Sequence, residues 1–211
     1  MGTQERRIRE RKALKNDIVL AAKNIALHEG WNAVTIRKIA EKIEYSPPTI
    51  YEHFKDKDEL LREIRREGYQ KLLSSYQEAL TSFNNPESIL TQLGVAYLDF
   101  AWENPELYTV MYGLDGSTAG SKGLEEEIEQ IRLTIKDALL RMLKESKQNA
   151  DLSLFNWEDA IDILRCMLHG AITFSMVNGL RGDQARARSL AMKGIHDLVT
   201  HWMQEHNTRK Y

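Results

Sequence analysis

Between residues 35 and 57 the chain gathers side chains that donate hydrogen bonds to anions and to the edges of aromatic heterocycles: Thr35, Arg37, Ser46, Thr49, Tyr51, His53 and Lys57. A hydroxyl beside the free N–H groups of a helix start binds a phosphate oxygen. The planar fork of Arg37 matches the O6 and N7 atoms of guanine, while the apolar edges of Pro47, Pro48 and Thr49 suit a thymine methyl. Lys57 is a point cation suited to a phosphate. This set reads nucleic acid and carries out no bond-breaking step.

Such groups work only if a scaffold holds them. Ile36, Ile39, Ala40 and Ile43 fall at i, i+3, i+4 and i+7, which predicts a short helix from Thr35 to Ile43 with Thr35 as its N-cap. Ser46 caps a second piece, and Pro47 stands at its first position, where a missing N–H costs nothing. Only about two turns follow, too few for stability alone. Ile50 and Phe54 point inward, leaving Thr49, Tyr51, Glu52 and His53 outside. Two short helices with a polar second face form a helix-turn-helix, whose second helix enters the DNA major groove.

The chain has 211 residues, 42% of them hydrophobic and 28% charged, with a net charge of −2. No apolar run approaches the ~18 residues of a membrane span. The start, MGTQERRIRERK, is too polar for a secretory signal, so a cytoplasmic location is expected. A single cysteine, Cys166, excludes an internal disulfide and a cysteine-rich zinc site. Charge is uneven. Residues 1–15 hold six basic and two acidic groups, a net of +4, and beside a helix-turn-helix this run reads as an arm on DNA phosphates.

Almost everything else reads as helix, about nine in all with no sheet, so an all-α fold is expected. A first helix runs from about Arg7 to His28, with Leu14, Ile18, Ala21, Ala22 and Ile25 inward and Gly30 just past its end. Asp56 and Glu59 form a capping box that opens a long helix. Helices follow from Glu87 to about Glu103, from Asn104-Pro105 to near Gly113, from Leu124 to about Lys147, from Asn156 to Val177, and from Asp183 to about Gln204. Asp115 to Gly123 is a loop by composition. Its Gly116–Gly123 stretch is not a phosphate loop, having the wrong glycine–lysine spacing and no strand before it. The chain lacks other enzyme signatures, so no catalytic residue is expected.

The arrangement from Thr35 to Lys57 resembles the TetR family of bacterial regulators, and the resemblance extends over residues 12–70. The family pattern is roughly T-x-R-x-I-A-x-x-x-G-V-S-x-x-T-x-Y-x-H-F-x-x-K-x-x-L, met here by Thr35, Arg37, Ile39, Ala40, Ser46, Thr49, Tyr51, His53, Phe54, Lys57 and Leu60. Two positions depart from it: Glu44-Tyr45 replaces Gly-Val, and Pro47-Pro48 doubles a proline. The resemblance implies a helix-turn-helix domain over 1–62 and a helical ligand-binding and dimerisation domain of about six helices over 63–211. It implies a homodimer on a pseudo-palindromic DNA operator, with Tyr51 on a phosphate, acting as a repressor released by a small-molecule effector. No cofactor or metal is implied. The alternative is a DNA-binding dimer whose second domain binds a protein partner or no ligand.

Asn156 to Leu180 is apolar nearly all round, which calls for cover on more than one side. The expected dimer surface takes Ile161, Leu168, Ala171, Ile172 and Ser175 from this helix and Ile195, Leu198 and Trp202 from the last. A pocket for an apolar or aromatic effector is implied by the family, lined by Trp102, Tyr108, Met111, Tyr112, Met167, His169 and Phe174. His169-Gly170 matches the end of a W-x-x-x-H-G pattern found in one subgroup, with Arg165 in the tryptophan position. His169 is read as a packed or pocket-lining histidine, since no second ligand stands at metal spacing.

Overall fold

The computed structural model describes residues 3–82, 86–114, 122–146, 152, 155–177 and 183–208. Nine α-helices and one short 3-10 turn make up the described residues, with no strand among them. They are α1 (Thr3–Glu29), α2 (Ile36–Lys42), α3 (Pro47–Tyr51), α4 (Lys57–Ser82), α5 (Pro86–Glu103), α6 (Pro105–Met111), α7 (Glu125–Ser146), α8 (Trp157–Met176) and α9 (Gln184–Thr208). The all-α expectation holds. Helix α1 begins a turn earlier than expected and α9 ends a turn later. Residues 115–121 of the expected loop lie outside the described residues.

The chain divides into two compact units, Met1–Tyr69 with Asn104–Glu125 and Gln70–Glu103 with Glu126–Tyr211. The first is built on α1, whose Ile18, Ala21, Ala22 and Ile25 are buried. Gly30 stops that helix at φ +80, a left-handed conformation that glycine adopts without strain. Trp31–Ala33 then winds as a 3-10 turn. Trp31 is buried, and its indole N–H donates to the Glu106 carbonyl at 2.9 Å. This bond and the contact of Met111 with Gly68 bring α6 into the first unit. Tyr108 and Met111, expected in an effector pocket of the second domain, are core residues of the first unit, and half-buried Tyr112 packs its ring against that of Tyr108, tilted, with centroids 4.8 Å apart.

Asp56 caps α4, accepting from the Glu59 N–H at 2.8 Å. The reciprocal arm of the expected box reaches one residue further: Glu59 accepts from the Lys55 N–H at 2.7 Å. The start of α4 is thus satisfied from both sides. Leu60, Leu61 and Ile64 then fill the first unit, and Leu72 and Tyr76 the second.

In the second unit, Asn156 caps α8 through the Asp159 N–H, and Asp183 caps α9 through the Arg186 N–H. Arg132 of α7 pairs with Glu158 and Asp162 of α8, and Arg188 of α9 pairs with Asp99 of α5 while lying over the Trp102 ring. Gly94 and Gly194 let Ile195 and Met167 approach where a Cβ would clash. Helix α8 is not covered all round. Ala160, Ile161, Leu164, Leu168, Ile172 and Ser175 form a buried stripe, while Ile163, Phe174 and Val177 are exposed. Six of the eight residues expected at a dimer surface, Ile161, Leu168, Ile172, Ser175, Ile195 and Trp202, are therefore covered by their own chain; Ala171 and Leu198 are half-buried. A side chain already enclosed by its own unit has no surface left for a partner.

Candidate nucleic-acid interface

Helix α2 is pinned by Ile39 and Ala40, both buried. Thr35 caps it as expected, its hydroxyl accepting from the Lys38 N–H at 3.2 Å. The chain then turns through Glu44 at φ +60. This is the position where the resembled pattern carries glycine, and the left-handed backbone is the reason for that preference. Tyr45 closes the turn, its N–H donating to the Ala40 carbonyl at 3.0 Å, and its ring is half exposed.

Helix α3 is a single anchored turn. Pro47 and Pro48 occupy its first positions, and Ile50 is buried beneath it, with Phe54 just beyond its end. The Ser46 side chain does not cap the backbone; its hydroxyl bonds the Thr49 hydroxyl at 2.9 Å. With Ile50 and Phe54 inside, Ser46, Pro47, Pro48 and Tyr51 are left exposed, Tyr51 at 54%. Thirty-five to fifty-seven thus becomes one surface of the first unit. Thr35 and Arg37 also lie exposed on it, while Thr49, His53 and Lys57 are half-buried.

The cations differ in readiness. Arg37 is held by Glu41 at 2.9 Å, with its side chain 85% exposed, so the guanidinium is oriented along α2 yet open to exchange partners. The Lys57 ammonium rests 3.4 Å from the Trp31 carbonyl, a contact that fixes its position without neutralising it. Burial pushes the His53 imidazole below its ordinary value, and nearby Arg11 pushes it the same way. Both influences favour the uncharged imidazole, which can still donate or accept a hydrogen bond. Lys38, paired with Glu29, adds a further exchangeable cation.

Trp31 was not legible as part of this site. It ties α6 to the end of α1 and offers its carbonyl to Lys57, yet its only sequence signal is a lone aromatic after a glycine. Arg11 and Leu14 of α1 were likewise missed as neighbours of the turn. With Glu10, Tyr45, Glu52 and His53 they line a depression of about 700 Å³ on the first unit.

The residues expected to line a pocket in the second unit differ in exposure. Trp102 is half-buried and donates to the Ser175 hydroxyl at 3.3 Å, His169 is half-buried, and Phe174 is 61% exposed. Met167 and Phe174 instead line a shallow depression of about 340 Å³ with Gly170, Ala171, Leu190 and Ala191, almost wholly apolar. Burial and the adjacent Arg165 lower the pKa of His169. No helix of the described residues is long and apolar enough to cross a membrane.

Two family models match the chain. Residues 18–64 match bacterial regulatory proteins of the tetR family, and residues 90–198, just over half of the chain, match the tetracyclin repressor-like C-terminal domain. An uncharacterized HTH-type transcriptional regulator, YobS, of Bacillus subtilis (strain 168) is 34% identical over 91 residues, 43% of this chain and 47% of that protein. The chain spans about half the length of the curated relatives it matches. Among solved structures, a protein of unknown function from Rhodococcus sp. RHA1 aligns with a TM-score of 0.69 and 18% identity, over 89% of this chain and 94% of that one. The transcriptional regulator FadR from Bacillus subtilis, solved in complex with stearoyl-CoA, aligns with a TM-score of 0.64 and 17% identity, over 84% and 95%. At these identities the structures share the fold.

Proposed function

The chain belongs to the tetR family of bacterial regulatory proteins, and from that premise we propose that it is a homodimeric repressor that binds a pseudo-palindromic operator and is released by a small apolar or aromatic ligand. One observation carries the DNA reading. Buried Ile39, Ala40, Ile50 and Phe54 anchor two short helices so that Thr35, Arg37, Ser46, Pro47, Pro48 and Tyr51 all stay exposed. A one-turn helix has no reason to display such a row except to a partner. Thr35, Tyr51 and Lys57 hold phosphates, Arg37 forks onto guanine, and Thr49 and the prolines meet thymine methyls, with His53 as a further hydrogen-bonding group.

The dimer surface belongs on the stripe of α8 and α9 that its own chain leaves open: Ile163, Phe174, Val177 and Leu190, all exposed. Contiguous exposed apolar groups of this kind mark a protein contact. Gly170, where an added Cβ would meet nothing within 4 Å, leaves room for a facing helix. A two-fold pair sets two α3 helices about one DNA turn apart. Helix α4 contributes to both units, so a ligand held in the second unit acts on the reading surface through it and lowers the population that fits the operator.

Tyr51→Phe and Lys57→Ala test the site. Each weakens binding to a duplex selected from a random pool, and Lys57→Ala also lowers the salt dependence by about one phosphate contact. Unchanged affinity in both variants contradicts the assignment.

A further inference from the structure

Helix α1 starts at Thr3, yet residues 4–13 are all exposed, and its first buried side chain is Ile18. About three turns therefore stand outside the core, and packing does not account for their presence. They carry Arg6, Arg7, Arg9, Arg11 and Lys12 against Glu5 and Glu10, a net of +3 over residues 4–13. Arg6 pairs with Glu10 at 2.9 Å, while Arg7, Arg11 and Lys12 make no ion pair among the described residues.

The extension has a definite direction. Arg7, Arg11 and Leu14 are spaced i, i+4 and i+7, so they share one face of α1. At its root, Arg11 and Leu14 line the same depression as Tyr45 of the turn and His53 just beyond α3. The nearness of Arg11 to His53 is also felt in the depressed basicity of that imidazole. Arg7 stands about 6 Å further along the helix axis, at ~1.5 Å per residue. Two arginines thus run outward from the edge of the reading surface, on the face that meets Tyr45 and His53.

We infer that the first three turns of α1 are a second DNA-contact element, laying Arg7, Arg11 and Lys12 along phosphates that flank the groove α3 enters. The inference rests on the DNA-binding reading above and deepens it. Glu52 lines the same depression, and its carboxylate opposes an approaching phosphate; Glu10 is already offset by Arg6. The contact is with backbone charge, so it adds affinity equally on every sequence and steepens the salt dependence.

The test is the affinity of the full chain for a duplex pool of randomised sequence between about 50 and 200 mM salt. The variant Arg7→Ala/Arg11→Ala/Lys12→Ala lowers the slope of log affinity against log salt by about two to three, since each lost phosphate contact contributes ~0.9. Arg7→Lys/Arg11→Lys keeps the slope, and Glu52→Gln tightens binding. All three alanine positions are exposed, so helical circular dichroism and thermal midpoint stay at wild-type values. A triple variant with the wild-type slope overturns the inference while leaving the helix-turn-helix reading standing. Wild-type protein that binds no duplex overturns both. Loss of binding to phosphatidylglycerol vesicles in the triple variant, with its DNA slope unchanged, also overturns it and assigns the arm to a membrane surface.

Discussion

The two candidate faces of this chain are built in opposite ways. On the first unit, buried apolar residues hold up an exposed row of hydroxyls, prolines and cations. On the second, α8 carries two apolar stripes, one enclosed by its own unit around Ile172 and one left open around Phe174. The first face announces itself by polarity where packing does not demand it. The second hides in a helix where every candidate is hydrophobic and only the neighbours decide which stripe is spare. A reading surface is therefore found from residue types, an assembly surface only from burial.

Ile172 and Phe174 test that contrast most sharply, two residues apart on one helix. Ile172→Ala empties a fully enclosed site and costs about 2–5 kcal/mol of folding stability, read by chemical denaturation. Phe174→Ala leaves the thermal midpoint of the separated chain nearly unchanged and weakens self-association by about 2 kcal/mol, read by sedimentation. Equal effects of the two on folding would erase the distinction between the stripes.

On the first unit, Arg37→Ala costs about 1–3 kcal/mol of operator affinity and relaxes base preference at one position, with no loss of dimer. The Arg37–Glu41 pair is exposed, so stability changes little. A quantitative binding titration against point-substituted operators checks both parts.

Glu44→Gly acts on the scaffold under the same face. Its φ of +60 strains a residue with a Cβ, and relief of that strain raises stability by about 1 kcal/mol, seen as a higher denaturant midpoint. A drop in stability would show that the Glu44 side chain contributes more than its backbone costs.

The smallest effect is on the second unit. His169 is held below its ordinary value of 6.5 by burial and by Arg165. A histidine depressed on folding favours the folded state while neutral, and that contribution is lost as pH falls from 6.5 through the folded value. Wild type therefore loses stability over this window relative to His169→Gln, and parallel pH profiles of the two would contradict the assignment.

Much of this was legible beforehand, for identifiable reasons. Thr35, Asp56, Asn156 and Asp183 were readable as caps because each pairs a short polar side chain with an apolar run behind it. The row from Thr35 to Lys57 was readable because a polar one-turn helix is unstable unless held. Long-range partnerships were not. The donation from Trp31 to Glu106 crosses 75 positions of chain, and no local pattern encodes it; nor does any encode the packing of Tyr108 and Met111 in the core of the first unit. Periodicity places Ile161, Leu168 and Ile172 on one stripe of α8 but is silent on what covers it. The choice between two stripes is made by α5, α7 and α9, whose approach depends on Gly94, Gly194 and Arg132.

The central claim is that two copies of the Thr35–Lys57 surface read one operator together. Selection of duplexes from a random pool, followed by sedimentation of the complex with a selected duplex, measures it directly. The expected result is an inverted repeat with half-sites about one helical turn apart and an even number of chains per duplex. Enrichment of no sequence, or a single unrepeated site holding one chain, would contradict it.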